Sequence, residues 1–356
     1  MAETISIVLC GDTLPARRLR DVPESARDIF RHVSESDLSL GNFEIPLTQR
    51  GSPVHKLLNI RAEPEIAQDV PDLGLDVVTI ANNHTVDYGW DGLADTKQFL
   101  EDAGIKVVGA GKVLEEAGRA SFHTVGSLRV GILAFSCLTP AGMGAAPTRA
   151  GISPLHVETG YEIDPWYQME EPGDPSVVKI RTKIRAQDMA WAVELTSEVR
   201  RLCDVLIVTV HWGYGSGDQL AEYQHPLAVK FIDAGADIIH GHHPHAIHAI
   251  GFHKDRPIIY SAGTYVGQQV FLEASPQVHQ MWAAMSPDGF VTSIEYEGNV
   301  RKSIRIIPTT LDADRLPRRA NPQEFDAILK RLQHLSERHG AQFAIDGAEI
   351  IVSASP

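Results

Sequence analysis

Four histidines, His240, His242, His243 and His245, fall within six positions at the end of the run Gly235-Ala-Asp-Ile-Ile-His-Gly-His-His-Pro-His245. Neutral imidazole is the commonest protein ligand for zinc, manganese and iron-like ions, and packing alone rarely clusters it this way. One loop cannot complete a metal site, so matching ligands must come from elsewhere. Asp12 follows the apolar run 4–10, Glu44 follows 37–43, and Asn82-Asn83-His84 with Asp87 follows 75–81. His211 closes the apolar run 203–210. Alone, Asp12 reads as a turn residue or helix cap, Asn82 or Asn83 as a cap, and His211 as a bonded core histidine. Together they occupy successive strand ends, where open α/β sheets bind their ligands. The Asn carbonyl oxygen can ligate a divalent ion without adding charge, and His84 beside it reads as a general acid or base.

The elements that must position these groups follow from periodicity. Helices are predicted over 23–35, 90–103, 186–202, 222–234 and 322–338, with buried strands between them and hairpins after 285. Strands alternating with helices early and hairpins late predict a mixed α/β (α+β) sheet system rather than one parallel sheet. The expected organisation is one metal-bearing domain over 1–310, with a helix–strand extension over 311–356 packed on it. Residues 139–185 form an excursion rich in Gly, Pro, acids and aromatics, read as a substrate-facing cover that includes Trp166 and Tyr167. The loop 48–62, with His55 and Lys56, is read as bordering the pocket. Gly109-Ala-Gly111 lacks the spacing of a dinucleotide fingerprint.

The chain has 356 residues, 43% of them hydrophobic, and a formal net charge of -14. That charge argues against nucleic acid or an anionic membrane surface as the main partner, since both need clustered positive charge. A small anionic substrate is still compatible, because bound metal ions supply local positive charge. Cys10, Cys137 and Cys203 are odd in number and widely spaced, which predicts buried free thiols. No run approaches the ~20 apolar residues that span a bilayer, and no secretory leader pattern opens the sequence. The expectation is a cytoplasmic protein without membrane insertion, its oligomeric state unknown.

Gly11-Asp12, Gly41-Asn-Phe-Glu44-x-Pro46, Ala81-Asn-Asn-His84 with Asp87 and Gly89, His211-Trp-Gly213, Gly235-Ala-Asp237, Gly241-His-His-Pro-His245 and Tyr260-Ser-x-Gly263 form one ordered pattern. It resembles the CapA (poly-gamma-glutamate capsule biosynthesis) family, which is similar to calcineurin-like metallophosphatases. The resemblance covers about residues 5–270 and implies a four-layer αββα sandwich with a dinuclear metal centre. Carried over residue by residue, it implies Asp12 and His245 on one ion. Asn83, His211 and His243 would hold the other, with Glu44 bridging and His84 catalytic, Asp87 at its side. The ions implied are two divalent metals from among Mn, Zn, Fe, Co and Ca. His55, Lys56, Trp166, Tyr167, Trp212, Tyr214, His242 and Thr264 are expected to face the substrate. The sequence departs from the family pattern at Tyr214-Gly215, where an acidic residue is common, at Ser261-Ala-Gly-Thr264, and at His248. The Asp-x-His opening of the phosphatases is also missing after the first strand.

These readings converge on a metal-dependent hydrolase acting on a peptide or small amide or anionic substrate, with His84 protonating the leaving group. One alternative is a peptide epimerase of the lasso-peptide type, which abstracts an α-proton and stabilises the enolate with the metals. The other is a non-catalytic factor in poly-gamma-glutamate capsule biosynthesis.

Overall fold

The computed structural model describes residues 4–355. Strand Thr4–Leu14 shows how the layers arise. Its side chains alternate: Val8 and Cys10 pack in one core, while Ile5, Ile7 and Leu9 pack in another. Both faces of this strand are therefore covered, which a two-residue period with apolar residues at nearly every position demands. Strand Val205–His211 repeats the pattern, with Val205 and Ile207 in the same shared core and Leu206, Val208 and Val210 in a third.

Three cores separate four layers. Helices Glu24–Ser34 and Gly89–Asp102 cover the outer face of a ten-stranded sheet through Ile29, Phe30, Val33, Leu93 and Leu100. The ten-stranded sheet packs on a six-stranded one through the shared core. Helices Ala186–Arg200 and Gln224–Asp233 cover the far side through Ala192, Val199, Leu227 and Phe231. The fold is an αββα sandwich.

The strands that carry candidate ligands are parallel. In the large sheet, Thr4–Leu14, Leu38–Phe43, Val77–Thr79 and Lys106–Val108 run side by side in one direction. In the smaller sheet, Leu128–Ser136, Val205–His211, Ile238–His242 and Arg256–Ile259 do the same. Antiparallel hairpins complete each sheet, including Asp288–Glu297 with Val300–Leu311.

Residues 311–355 pack directly into the sheets. Strand Glu349–Ala354 pairs with Val300–Leu311 inside the large sheet, and helix Pro322–Ser336 sends Ile328, Leu329 and Leu332 into the core between the sheets. That helix starts on a reciprocal cap in which Asn321 accepts from Glu324 N and Glu324 accepts from Asn321 N. Within the excursion, Val157–Ile163 and Val178–Ile184 form an antiparallel hairpin.

Close backbone approach fixes the first ligand. Asp12 N donates to the Gly263 carbonyl at 3.0 Å, and the parallel register shifts between Asp12 and Thr13. A Cβ on Gly11 would lie 2.0 Å from that same carbonyl oxygen, so only glycine fits there. Gly160, by contrast, meets nothing within 4 Å. Gly11→Ala is expected to lower stability by about 3 kcal/mol through forced backbone displacement. Gly160→Ala should leave the melting temperature near wild type, and parallel thermal melts check the contrast.

Candidate metal centre

The carboxyl ends of the parallel strands of both sheets meet in one buried pocket. Asp12 and Glu44 arrive from the large sheet, and His211 and His243 to His245 from the smaller one. Asp12, Glu44 and His211 are fully buried, and His245 is nearly so. One Asn42 Nδ2 hydrogen goes to Asp12 Oδ1 at 2.7 Å and the other to Glu44 Oε2 at 3.1 Å. Asn42 Oδ1 in turn accepts from Asn82 Nδ2 at 3.0 Å, which fixes the orientation of the amide. Burial, and then the neighbouring Asp12 carboxylate, push the Glu44 carboxyl well above the usual range. Two carboxylates converging in a dry pocket are charge that a divalent cation would balance.

Two sets of three ligand atoms share Glu44. Asp12, Glu44 and His245 form one, and Glu44, His211 and His243 the other, each with atoms within 4.8 Å of one another. Asn83 Oδ1 stands 2.6 Å from His211 Nε2 and can join the second set. Glu44 Oε1 and His243 Nδ1 are buried and lack any hydrogen-bond partner, which is unfavourable unless a cation takes them. Burial, and then neighbouring histidines, depress His211 and His243 far below the ordinary imidazole value, so both present neutral lone pairs. The residues present fit divalent ions.

A third grouping, Asp12 with His211 and His242, is also close enough. Its proton inventory rejects it. His240 Nε2 lies 3.0 Å from the Cys10 carbonyl, which can only accept, so that nitrogen carries the hydrogen. Burial brings His240 down to about 4, leaving it neutral with a bare Nδ1 that accepts from Thr209 Oγ1 at 3.2 Å. Thr209 Oγ1 then accepts from His242 Nε2 at 3.0 Å. His242, also depressed by burial, has a bare Nδ1 and accepts from His211 Nδ1 at 2.8 Å. Along this chain His211 donates from Nδ1, which would leave Nε2, beside Glu44 and Asn83, to take a cation. Both His242 nitrogens are spent within this chain, so His242 supports a ligand rather than being one.

Beside the carboxylates stands a separate dyad. His84 Nδ1 lies 2.7 Å from Asp87 Oδ2, and Asp87 is also bonded to Lys56 Nζ and to Ile60 N. Lys56 Nζ donates to the Asn83 carbonyl at 2.8 Å, tying the dyad to the ligand loop. Asn82 Oδ1 accepts from His84 N, Thr85 N and Thr85 Oγ1, so it shapes the turn itself. The helix that follows starts later, at Gly89.

Three residues expected to face substrate do not. His242 is committed to Thr209 and His211. Trp212 is fully buried, donates from Nε1 to the Tyr260 carbonyl and stacks on Tyr260, because it points to the opposite face of the strand from His211. Thr264 Oγ1 sits 3.3 Å from His245 Nδ1 and steadies that ring. Trp166 and Tyr167 lie on the exposed tip of the hairpin, and His55 is exposed on its loop. Tyr214 keeps its candidacy, since a Cβ on the adjacent Gly215 would be 3.4 Å from His243 Nε2. His248 is bonded to the Gly217 carbonyl. Asn42, Thr209 and His240 were not singled out as site residues from the sequence. Asn42 had a readable signal, because it lies two residues before Glu44 and shares its face of the strand.

The family pattern of the bacterial capsule synthesis protein PGA_cap matches residues 6–269. The chain belongs to this family. Capsule biosynthesis protein CapA of Bacillus anthracis is 27% identical over 277 residues, covering 75% of this chain and 61% of that protein. PGA biosynthesis protein CapA of Bacillus subtilis is 28% identical over 276 residues, covering 75% of this chain and 64% of that one. The chain thus spans less than two thirds of the length of these curated relatives. A phosphatase from Mycoplasma pneumoniae has a similar structure, with a TM-score of 0.48 at 13% identity over 92% of this chain and 98% of that one. All the convergent PGA_cap residues from Asp12 to His245 lie inside the matched region, as does the hairpin at 157–184. No helix among the described residues is long and apolar enough to cross a membrane.

Thr209→Val keeps the volume and removes the hydroxyl on which the tautomer chain turns. Metal affinity is expected to fall about 10- to 100-fold, as when other outer groups of a metal site are lost. Calorimetric titration with Mn²⁺ or Zn²⁺ reads the change, and circular dichroism checks that the fold is kept.

Proposed function

We propose that this protein is a hydrolase with a dinuclear metal centre that cleaves an amide bond in a peptide-like, acidic substrate. The observation that carries the reading is Glu44, shared between two ligand sets, with the His84–Asp87 pair beside them and free of both. Asp12, Glu44 and His245 would hold one ion, and Glu44, Asn83, His211 and His243 the other. Bound divalent ions would polarise the scissile carbonyl and lower the pKa of a water near it. The protein's own groups supply the rest. Asp87 accepts the His84 Nδ1 hydrogen, so Nε2 is the ring atom that exchanges protons. Cleaving an amide requires a proton on a poor leaving nitrogen, and His84 is the group to deliver it. Lys56 balances the buried Asp87 charge and keeps the pair in register with Asn83.

The amide substrate class is supported by the relatives named for capsule and PGA biosynthesis, PGA being poly-gamma-glutamate, a polymer of amide-linked glutamates. Catalysis rather than a passive role in capsule assembly is supported by the His84–Asp87 pair, a proton-transfer group set beside the ligand sets and belonging to neither.

The test is incubation of metal-loaded protein with γ-glutamyl and α-peptides in D₂O, followed by mass spectrometry and chiral analysis. Cleavage is expected. His84→Gln should lower turnover by about 10²–10⁴-fold while metal content stays near wild type. Glu44→Ala should lose metal from both positions, read by elemental analysis. An uncleaved peptide carrying one deuterium at Cα would replace hydrolysis with epimerisation. No reaction with any substrate would leave the capsule-factor reading standing, and loss of metal in His84→Gln would remove His84 from its role.

A further inference from the structure

Segment 157–184 leaves the body as a ribbon of strands Val157–Ile163 and Val178–Ile184, with the short helix Pro165–Glu170 at its tip. Its register pairs Val157 with Ile184, Thr159 with Thr182, Tyr161 with Ile180 and Ile163 with Val178, all on one face. The other face pairs Glu158 with Lys183 and Glu162 with Lys179, and Arg181 reaches Glu162 at 2.5 Å. One face is thus mostly apolar, and the other is charged and ion-paired, within the ribbon and through Arg181 to Glu222 on the body. The apolar face begins inside the molecule, where Ile184 is buried in the core under the smaller sheet and Val157 packs against it. Thr159, Tyr161 and Thr182 then line a cavity shared with Met189, Tyr223 and Pro226, and Ile180, Ile163 and Val178 run on into water.

Tyr161 is 72% exposed and Ile180 63%, with Ile163 and Val178 about half exposed beside them. At the tip, Trp166, Tyr167 and Met169 are 62%, 46% and 82% exposed. On ordinary side-chain sizes these residues leave roughly 800 Å² open, above the ~300–600 Å² of the largest apolar patch on a typical monomer. It is about what one partner contributes to a standard stable interface. Among the described residues neither ribbon strand pairs with any third strand. A two-stranded ribbon with a bare apolar face is marginal in water and gains from being covered.

We propose that this ribbon is the contact between two copies of the chain, packed apolar face to apolar face about a two-fold axis. A two-fold arrangement closes on itself, so the patch is used up in a dimer instead of propagating into a fibre.

Sedimentation equilibrium on the intact chain at roughly 100 µM, where a micromolar interface is saturated, should give twice the 39.0 kDa of one chain. Tyr161→Glu with Ile180→Glu should weaken association by roughly 100-fold or more, with an unchanged circular dichroism spectrum. A monomeric wild type at that concentration overturns the proposal, as does a dimer that survives the double glutamate variant. A monomeric wild type whose peptide binding is lost in the double variant assigns the face to substrate instead.

Discussion

Two buried carboxylates, Asp12 and Glu44, share one amide, Asn42. Like charges this near one another are costly in a low-dielectric interior, and a single amide cannot neutralise them. The surrounding structure answers that constraint. Parallel strands bring the two acids to adjacent ends, the second sheet brings neutral imidazoles to face them, and the charged lysine is kept one residue pair away, on Asp87. The protein interior thereby holds an excess of acceptors over donors, a balance that suits cations and little else.

The backbone carries part of the same cost. His243 and His245 both adopt positive φ, at 117° and 50°, in a region where a side chain is strained by about 1–3 kcal/mol. A glycine would relieve the strain at either position but would bring no ring nitrogen. The His243 N–H is donated to Asp12 Oδ2, so the strained loop is held partly by the carboxylate it faces. Local stability has been given up here for a fixed arrangement of ligand atoms, as is common where binding sites are preorganised.

Much of this was legible in the sequence because each of these residues follows an apolar run, and runs of that kind have one place to go in an α/β fold. Asp12, Glu44, Asn83, His211, His243 and His245 could be grouped for that reason, and the structure brings them together. Neighbours of ligands were misread for an equally physical reason. Strand side chains alternate, so Trp212 faces the opposite side from His211, and His242 shares the inward face of His240 instead of reaching the pocket mouth. The ribbon at 157–184 was hidden because Gly160 interrupts the first strand, and Pro, Gly and acidic residues separate the two. Its alternation, Val157-x-Thr159-x-Tyr161-x-Ile163 against Val178-x-Ile180-x-Thr182-x-Ile184, is plain only once the two halves are paired. Asn42 shows only its shared face with Glu44 in the sequence, since its bond to Asp12 exists only once the two strands lie side by side.

The proton chain from Cys10 to His211 begins on one sheet and ends on the other. Its first link crosses the apolar layer between the sheets, so it is intact only while they keep their spacing and lateral alignment. A loosened interior would therefore leave its mark at the metal before it showed as unfolding. The rings would flip between tautomers, and the ligand atom offered by His211 would alternate between bare and protonated. In this fold the packing of two hydrocarbon faces helps determine which nitrogen is a base.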